Sequence, residues 1–284
     1  MFARLSLIAA VATVVSLGAY PGTAQAGPVF LTGHDPDFHA QGSAGAQNLL
    51  RSGLSFVTGG TYNDANPLTP KFLWVESSIP IPGGHLRGEN GLIAIGLTST
   101  QYDVVNAAAL ATVDFSNYSA IAVASSFGGL LTRAELDGLI ARTADIAAFI
   151  NAGGGLFASA ECYPCGANLL AGPTTPDLFG FVPLPGVLAV GATGPFTVTP
   201  AGAASPFSLT NADVNDPTHN AFDISTVPAA LAVLDTQPGG NAVILAGNVR
   251  IGDGGFEGVP EPATLALLAL ALAGLGFTRR RKLH

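Results

Sequence analysis

The chain has 284 residues, of which 48% are hydrophobic and only 11% are charged. Residues 27–258 hold six Lys and Arg residues against 18 Asp and Glu residues, a net charge of −12, and the other cations lie near the two ends. This acidic balance excludes nucleic acid and anionic lipid headgroups as partners of the central region. A region of this length can bury the core of one domain.

Residues 1–26 have the pattern of a secretory signal peptide. Arg4 supplies a short positive region, an apolar stretch runs from Leu5 to Leu17, and Ala24-Gln25-Ala26 has the small residues that a signal peptidase needs. We therefore expect export across the inner membrane and cleavage after Ala26 by signal peptidase. A retained N-terminal membrane anchor is the alternative.

The first strand of the exported region leads into a loop rich in His and Asp. Pro28 to Thr32 has the composition of a short buried strand, and four polar side chains follow: His34, Asp35, Asp37 and His39. Functional groups at the carboxyl ends of parallel strands are typical of open α/β sheets. Imidazole with carboxylate could bind Zn²⁺ or another divalent metal. The alternative is an ordinary polar turn, and no other cofactor is expected.

Strand-like and helix-like patterns alternate through the first part of the region. Helical spacing of apolar residues, and a Thr-x-x-Glu capping box at Thr132, favour helices; short β-branched apolar runs favour strands. The predicted helices are 44–57, 101–111 and 132–151, and the predicted strands are 72–75, 119–124 and 155–160. Strand, helix and strand with short connections predict right-handed βαβ units and a mostly parallel sheet flanked by helices.

The only two cysteines are Cys162 and Cys165, which follow the strand predicted at 155–160. In an oxidising compartment, this Cys-x-x-Cys pair predicts a local disulfide. The alternative is a redox-active or nucleophilic thiol, because a following helix N-terminus lowers a thiol pKa. Glu161 and His219 are further candidates for acid or base chemistry if they reach the same cleft.

The pattern changes after Phe179, where helical periods vanish and Gly, Pro, Thr and Ser become frequent. Short strand-like runs occur at 187–190, 196–198, 230–234 and 242–245. We predict a β-rich part over about 181–251, which completes the α/β domain of residues 27–251. Residues 252–258 have the composition of a linker.

The C-terminal end has three parts in a fixed order. Val259-Pro260-Glu261-Pro262 comes first, an apolar run over 263–277 follows, and a cationic cluster closes the chain: Arg279, Arg280, Arg281 and Lys282. The apolar run predicts a transmembrane helix of 15 residues, which snorkelling cations and local thinning could accommodate. The cations are expected on the cytoplasmic side, so the preceding domain lies across the membrane.

This three-part order over residues 259–284 resembles the PEP-CTERM sorting signal. The resemblance implies processing by an exosortase, a membrane protease of Gram-negative bacteria that also make exopolysaccharide. It therefore implies a transient anchor in the inner membrane, followed by placement at the outer surface or in the extracellular matrix. Proline on either side of Glu261 disfavours a helix, so the motif is expected to be extended and accessible.

The central region resembles the class I glutamine amidotransferase-like fold, a flavodoxin-like α/β sandwich. The similarity rests on Gly33-His34-Asp35, on residues 114–124 and 153–158, and on Asp216-Pro217-Thr218-His219. It implies a nucleophile elbow at Cys162. The chain departs from the family here, because the elbow reads Ala160-Glu161-Cys162-Tyr163-Pro164 and not Gly-x-Cys-x-Gly, and the His-x-Glu pair is missing.

These observations predict an exported protein whose domain has a structural or binding role, with exopolysaccharide as an expected partner. The missing family triad favours a non-catalytic domain. The alternative is a secreted hydrolase or carbohydrate-active enzyme with its site at the strand ends, for which the candidate residues are His34, Asp35, Glu161, Cys162 and His219. A thiol-redox protein is a third hypothesis.

Overall fold

The computed structural model describes residues 26–60, 70–126, 128–159, 169–183, 187–188, 194–215, 220–252 and 254–258. Within these residues, eleven strands form one sheet. The strands are β1 (Gly27–Thr32), β2 (Phe72–Val75), β3 (Tyr102–Val105), β4 (Ala120–Val123), β5 (Gly155–Ser159), β6 (Val187–Leu188), β7 (Thr197–Val198), β8 (Ala221–Phe222), β9 (Ala232–Thr236), β10 (Ala242–Gly252) and β11 (Gly255–Gly258). The helices are α1 (Pro36–His39), α2 (Ala44–Val57), α3 (Glu89–Ala94), α4 (Ala107–Leu110), a 3-10 helix (Phe115–Asn117), α5 (Arg133–Ala141), α6 (Thr143–Asn151) and α7 (Pro200–Ala203).

Five neighbouring strands of the sheet are parallel, in the order β3-β2-β4-β5-β1. The sheet continues through β10, β8 and β6 with antiparallel pairing, and β9 and β11 also pair with β10. The chain moves outward from β2 to β3 and then crosses back to β4, so the strand order reverses between β2 and β4. A crevice for ligands is expected at the carboxyl ends of the strands at such a point.

Helices cover both faces of the parallel part, because its strands are apolar on both sides. On one face, Leu50 and Leu54 of α2 pack with Phe30, Trp74 and Phe157. On the other face, α5 and α6 pack on the alternate residues of the same strands, including Leu31 and Leu156. The predicted mixed α/β class, with a large sheet flanked by helices, is confirmed.

Two predicted helices differ from the structure. Residues 102–105 of the predicted helix 101–111 form β3, which pairs with β2, because sheet pairing overrides the helical spacing of this short apolar run. The predicted helix 132–151 is interrupted at Arg142 and forms α5 and α6. The Arg142 guanidinium donates to the carbonyls of Leu110 and Val113 and lies 3.8 Å from the Phe115 ring centre. These tertiary contacts hold Arg142 outside helical geometry.

The predicted linker over residues 252–258 differs from the structure, where the last two strands occupy most of this segment. Residues 242–252 form one long strand, and residues 255–258 form β11, which pairs back on it as a hairpin. Phe256 of this hairpin is buried, and the Asn151 side chain hydrogen-bonds both the N–H and the carbonyl of Ile251 at 2.8 Å. Gly252 and residues 254–258 are therefore part of the folded domain.

The hairpin also brings the two ends of the domain together. Gly27 pairs with Val249 of β10, and Val249 pairs with Gly258 of β11. The predicted signal peptide, both cysteines and the predicted transmembrane helix at 263–277 lie outside the described residues. Among the helices that the structure describes, none has the length and apolar character needed to cross a membrane.

Candidate functional site

The crevice between the carboxyl ends of β2 and β4 holds polar groups from three segments that follow strands. Glu76 directly follows β2, Ser125 follows β4, and Asp37 reaches the crevice from α1, the short helix after β1. All three side chains are buried. Charged groups are rarely buried without hydrogen-bond partners, so the bonds that these carboxyl groups make identify their role.

Asp37 connects α1 to the residues that follow β4. One carboxylate oxygen, Oδ2, accepts a hydrogen bond of 2.9 Å from the backbone N–H of Ser125. The other oxygen, Oδ1, is buried and has no hydrogen-bond partner among the residues that the structure describes. Burial raises the pKa of Asp37 to about 6, although the hydrogen bonds from Ser125 oppose this rise.

Glu76 ties the end of β2 to the start of α3. Its Oε1 accepts from the backbone N–H of Gly88 at 2.5 Å, and its Oε2 accepts from Glu89 N–H at 3.0 Å and from the Trp74 indole at 3.1 Å. Burial raises the pKa of Glu76 to about 7, and the charge of Asp37 adds to the rise.

The two carboxyl groups approach each other around Gly88. Glu76 accepts from its N–H, while a Cβ atom at Gly88 would lie 2.5 Å from Oδ2 of Asp37. A Cβ atom at Gly129 would likewise lie 2.7 Å from that oxygen. Glycine at both positions allows the backbone to close over Asp37. The result is an enclosed acidic pair of carboxyl groups whose pKa values are raised toward neutrality by burial.

The loop at Pro82–Gly88 covers the crevice at the carboxyl ends of β2 and β4. His85 is buried with its Nδ1 3.1 Å from the carbonyl oxygen of Gly129, and Leu86 N–H donates to the Gly128 carbonyl. Arg87 donates to the carbonyls of Ser77 and Ile79. The protein's own loops therefore fill the crevice, and the acidic pair is shielded from solvent.

The four predicted metal-ligating residues separate into different contacts. The Nε2 atom of His34 lies 2.8 Å from Oδ2 of Asp235 on β9, and both side chains are buried. The Nε2 atom of His39 lies 3.4 Å from Oδ2 of Asp35, while Asp37 turns toward Ser125. The described part of the chain contains no group of three or more His, Cys, Asp or Glu side chains placed to hold a metal ion.

Glu76, Asp235 and His85 were not among the candidates predicted from the sequence, although all three are buried. The sequence does carry a signal that could have identified Glu76. This residue directly follows the apolar strand β2, just as the His34 segment follows β1. Asp235 carries no such signal, since its distance from His34 in sequence is 201 residues. The candidates Glu161, Cys162 and His219, and the proposed disulfide partner Cys165, lie outside the described residues.

A cleft of about 1070 Å³ opens at the opposite end of the sheet, beside the amino ends of the parallel strands. It lies between the end of α2 and α6. Pro28, Asn248 and four aromatic residues are among those that line it: Phe56, Phe115, Tyr118 and Phe149. No sequence-predicted site residue lines it. This cleft is therefore separate from the acidic pair.

The hairpin that closes the domain leads directly into the C-terminal segment, because β11 ends at Gly258. Residues 258–282 match the PEP-CTERM protein-sorting motif. The predicted PEP-CTERM sorting signal is thereby confirmed. No curated protein and no solved structure matches the chain.

The PEP-CTERM motif indicates a secreted protein that is transiently anchored in a membrane and processed by an exosortase. The match covers the C-terminal segment alone, so it does not assign a role to the α/β domain. The similarity of the domain to the class I glutamine amidotransferase-like fold stays a prediction.

Proposed function

We propose that this protein is delivered through its PEP-CTERM motif to the outer surface or extracellular matrix of a Gram-negative bacterium, where its α/β domain has a structural or binding role. The observation that carries this proposal is the motif at residues 258–282, which begins where the last strand of the domain ends. Exopolysaccharide is the proposed binding partner of the displayed domain, and signal peptidase and exosortase are its processing partners.

The contacts of the polar side chains support a non-catalytic role. Glu76 uses both carboxylate oxygens to accept from its own chain, and Asp37 and Glu76 are 0% exposed. A general acid or base must reach the proton that it transfers within hydrogen-bonding distance. The buried His34 instead bonds Asp235, and these contacts tie loops to the sheet.

The decisive experiment compares the intact mass and localisation of the wild-type protein with those of Glu261→Ala in a host that carries its exosortase. We expect loss of the C-terminal segment in the wild type and retention in the variant. Glu257→Ala is the matched control, since Glu257 is an exposed residue of β11 four positions upstream. A full-length, membrane-held protein in all three strains would reject sorting through this motif.

The binding role needs a separate measurement. The processed protein, with its domain folded, is sedimented with exopolysaccharide purified from the same host. We expect saturable co-sedimentation that free polysaccharide competes away. Absence of co-sedimentation would reject exopolysaccharide as the partner and leave a structural role.

A secreted hydrolase is the second candidate, and one observation favours it. Asp37 and Glu76 meet at the point where the strand order reverses, and burial raises both pKa values toward neutrality. If a loop opened, the pair could supply an acid and a base. We would screen the secreted protein against polysaccharides and esters beside Asp37→Asn and Glu76→Gln. Activity that survives in both folded variants, or is absent in the wild type, rejects this candidate.

A further inference from the structure

The cleft at the amino ends of the parallel strands has the size and the accessible aromatic surface of a ligand site. Its volume of about 1070 Å³ lies at the top of the range of roughly 300–1,000 Å³ that is usual for small-molecule sites. Two of its aromatic residues are only partly buried, Phe56 near the end of α2 and Tyr118 after the 3-10 helix. Their rings offer an apolar contact surface inside a cleft that is large enough for several linked units.

The cleft also presents hydrogen-bonding groups that the protein leaves unused. Asp114 accepts from Ser116 through Oδ1, and Asp145 accepts from Arg142 through Oδ2, at 2.8–2.9 Å. In the described part of the chain, the second oxygen of each carboxylate and the exposed amide of Asn248 have no hydrogen-bond partner. The hydrogen bonds from Ser116 lower the pKa of Asp114, so this carboxylate stays an acceptor near neutral pH.

The charges of the cleft exclude an anionic ligand. Arg142 is the one Lys or Arg among the described residues that line it. Its guanidinium already donates to the carbonyls of Leu110 and Val113 and to Asp145. Asp114 and Asp145 together outweigh this single cation, and the whole of residues 27–258 carries a net charge of −12. A polymer rich in uronate or phosphate groups would therefore be repelled, whereas an uncharged ligand would not.

We propose that this cleft is the site where the domain binds an uncharged segment of exopolysaccharide. A sugar ring has an apolar face of C–H groups and a rim of hydroxyl groups, and the cleft offers a partner for each. The apolar faces contact Phe56 and Tyr118. The hydroxyl groups donate to the free oxygens of Asp114 and Asp145 and exchange hydrogen bonds with Asn248. This inference rests on the proposed function, because it names the site and the chemical class for the binding role given there.

The test measures binding of the processed protein to exopolysaccharide from the same host, which anion exchange separates into an uncharged and a uronate-bearing fraction. Ala148→Trp fills the cleft, since Ala148 is an exposed cleft residue of α6. Ala144→Trp is the matched control, because Ala144 is exposed on the same helix but is not among the lining residues. We expect the wild type and Ala144→Trp to co-sediment equally with the uncharged fraction, and Ala148→Trp to bind roughly tenfold more weakly.

A second pair of variants tests the aromatic contact. Tyr118→Ala removes the ring, while Tyr118→Phe removes only the hydroxyl, which lies 3.4 Å from Oδ2 of Asp103. We expect several-fold weaker binding for Tyr118→Ala, and binding within about twofold of the wild type for Tyr118→Phe. Urea unfolding of both variants verifies that the domain remains folded.

The possible results separate this inference from the proposed function. Equal binding by the wild type, Ala148→Trp and Tyr118→Ala would overturn the cleft as the site, while exopolysaccharide would remain the partner. Binding of the uronate-bearing fraction alone would overturn the uncharged class of ligand. A wild-type protein that binds neither fraction would reject the proposed binding role itself, and this inference with it.

Discussion

Glu76 should make the stability of the domain depend on pH near neutrality. Its pKa rises from the usual 4.5 to about 7 in the folded protein, mainly because it is buried. The folded state therefore binds a proton that the unfolded state releases between these values. Stability from this group is fully present below about pH 4.5, and it is lost as the pH rises through about 7.

The expected size follows from the two pKa values. Between about pH 8 and pH 6, protonation of Glu76 should add roughly 1.3 kcal/mol to the free energy of unfolding. Asp37 faces Glu76 and has a pKa of about 6, so it should add only about 0.4 kcal/mol over the same interval. The substitution Glu76→Gln removes the larger contribution and leaves the smaller one.

The assay is urea unfolding of the purified protein at both pH values, for the wild type, Glu76→Gln and Glu257→Gln. We expect the gain in stability on acidification to be about 1 kcal/mol smaller in Glu76→Gln than in the wild type. Glu257→Gln should behave as the wild type, since Glu257 is exposed. Equal pH dependence in all three proteins would refute the argument that burial raises the pKa of Glu76.

Three further substitutions test buried contacts that stabilise the fold. Gly88→Ala places a Cβ atom 2.5 Å from Asp37 and should lower the free energy of unfolding by about 2 kcal/mol in urea titrations, whereas Gly83→Ala meets nothing within 4 Å and should change it by less than about 0.5 kcal/mol. Asp235→Ala leaves the buried His34 without its partner and should cost about 3 kcal/mol, which thermal unfolding would detect; an unchanged midpoint would contradict a structural role for the pair. Glu135→Ala removes the acceptor for two backbone N–H groups, at Thr132 and Ala107, and should cost about 1.5 kcal/mol by the same measurement; no loss would mean that the capping box is dispensable.

Part of the candidate site could be predicted from local sequence. The loop after β1 was selected because polar residues follow an apolar strand, and Asp37 of that loop is one member of the acidic pair. Its partner could not be predicted in this way, since the pairing of Asp37 with Glu76 depends on the strand order. The four polar residues after β1 are close in sequence, but they make three separate contacts. His34 contacts Asp235, His39 contacts Asp35, and Asp37 accepts from Ser125.

The sequence by itself determined the features that depend only on short stretches of the chain. The apolar strands β1, β2 and β4, the cap of α5, and the PEP-CTERM segment each carry their signal in fewer than 30 neighbouring residues. Tertiary structure alone decided the break at Arg142, which needs carbonyl acceptors from another loop. It also made residues 255–258 a strand, because a Gly-rich segment becomes a strand only when β10 is there to pair with it.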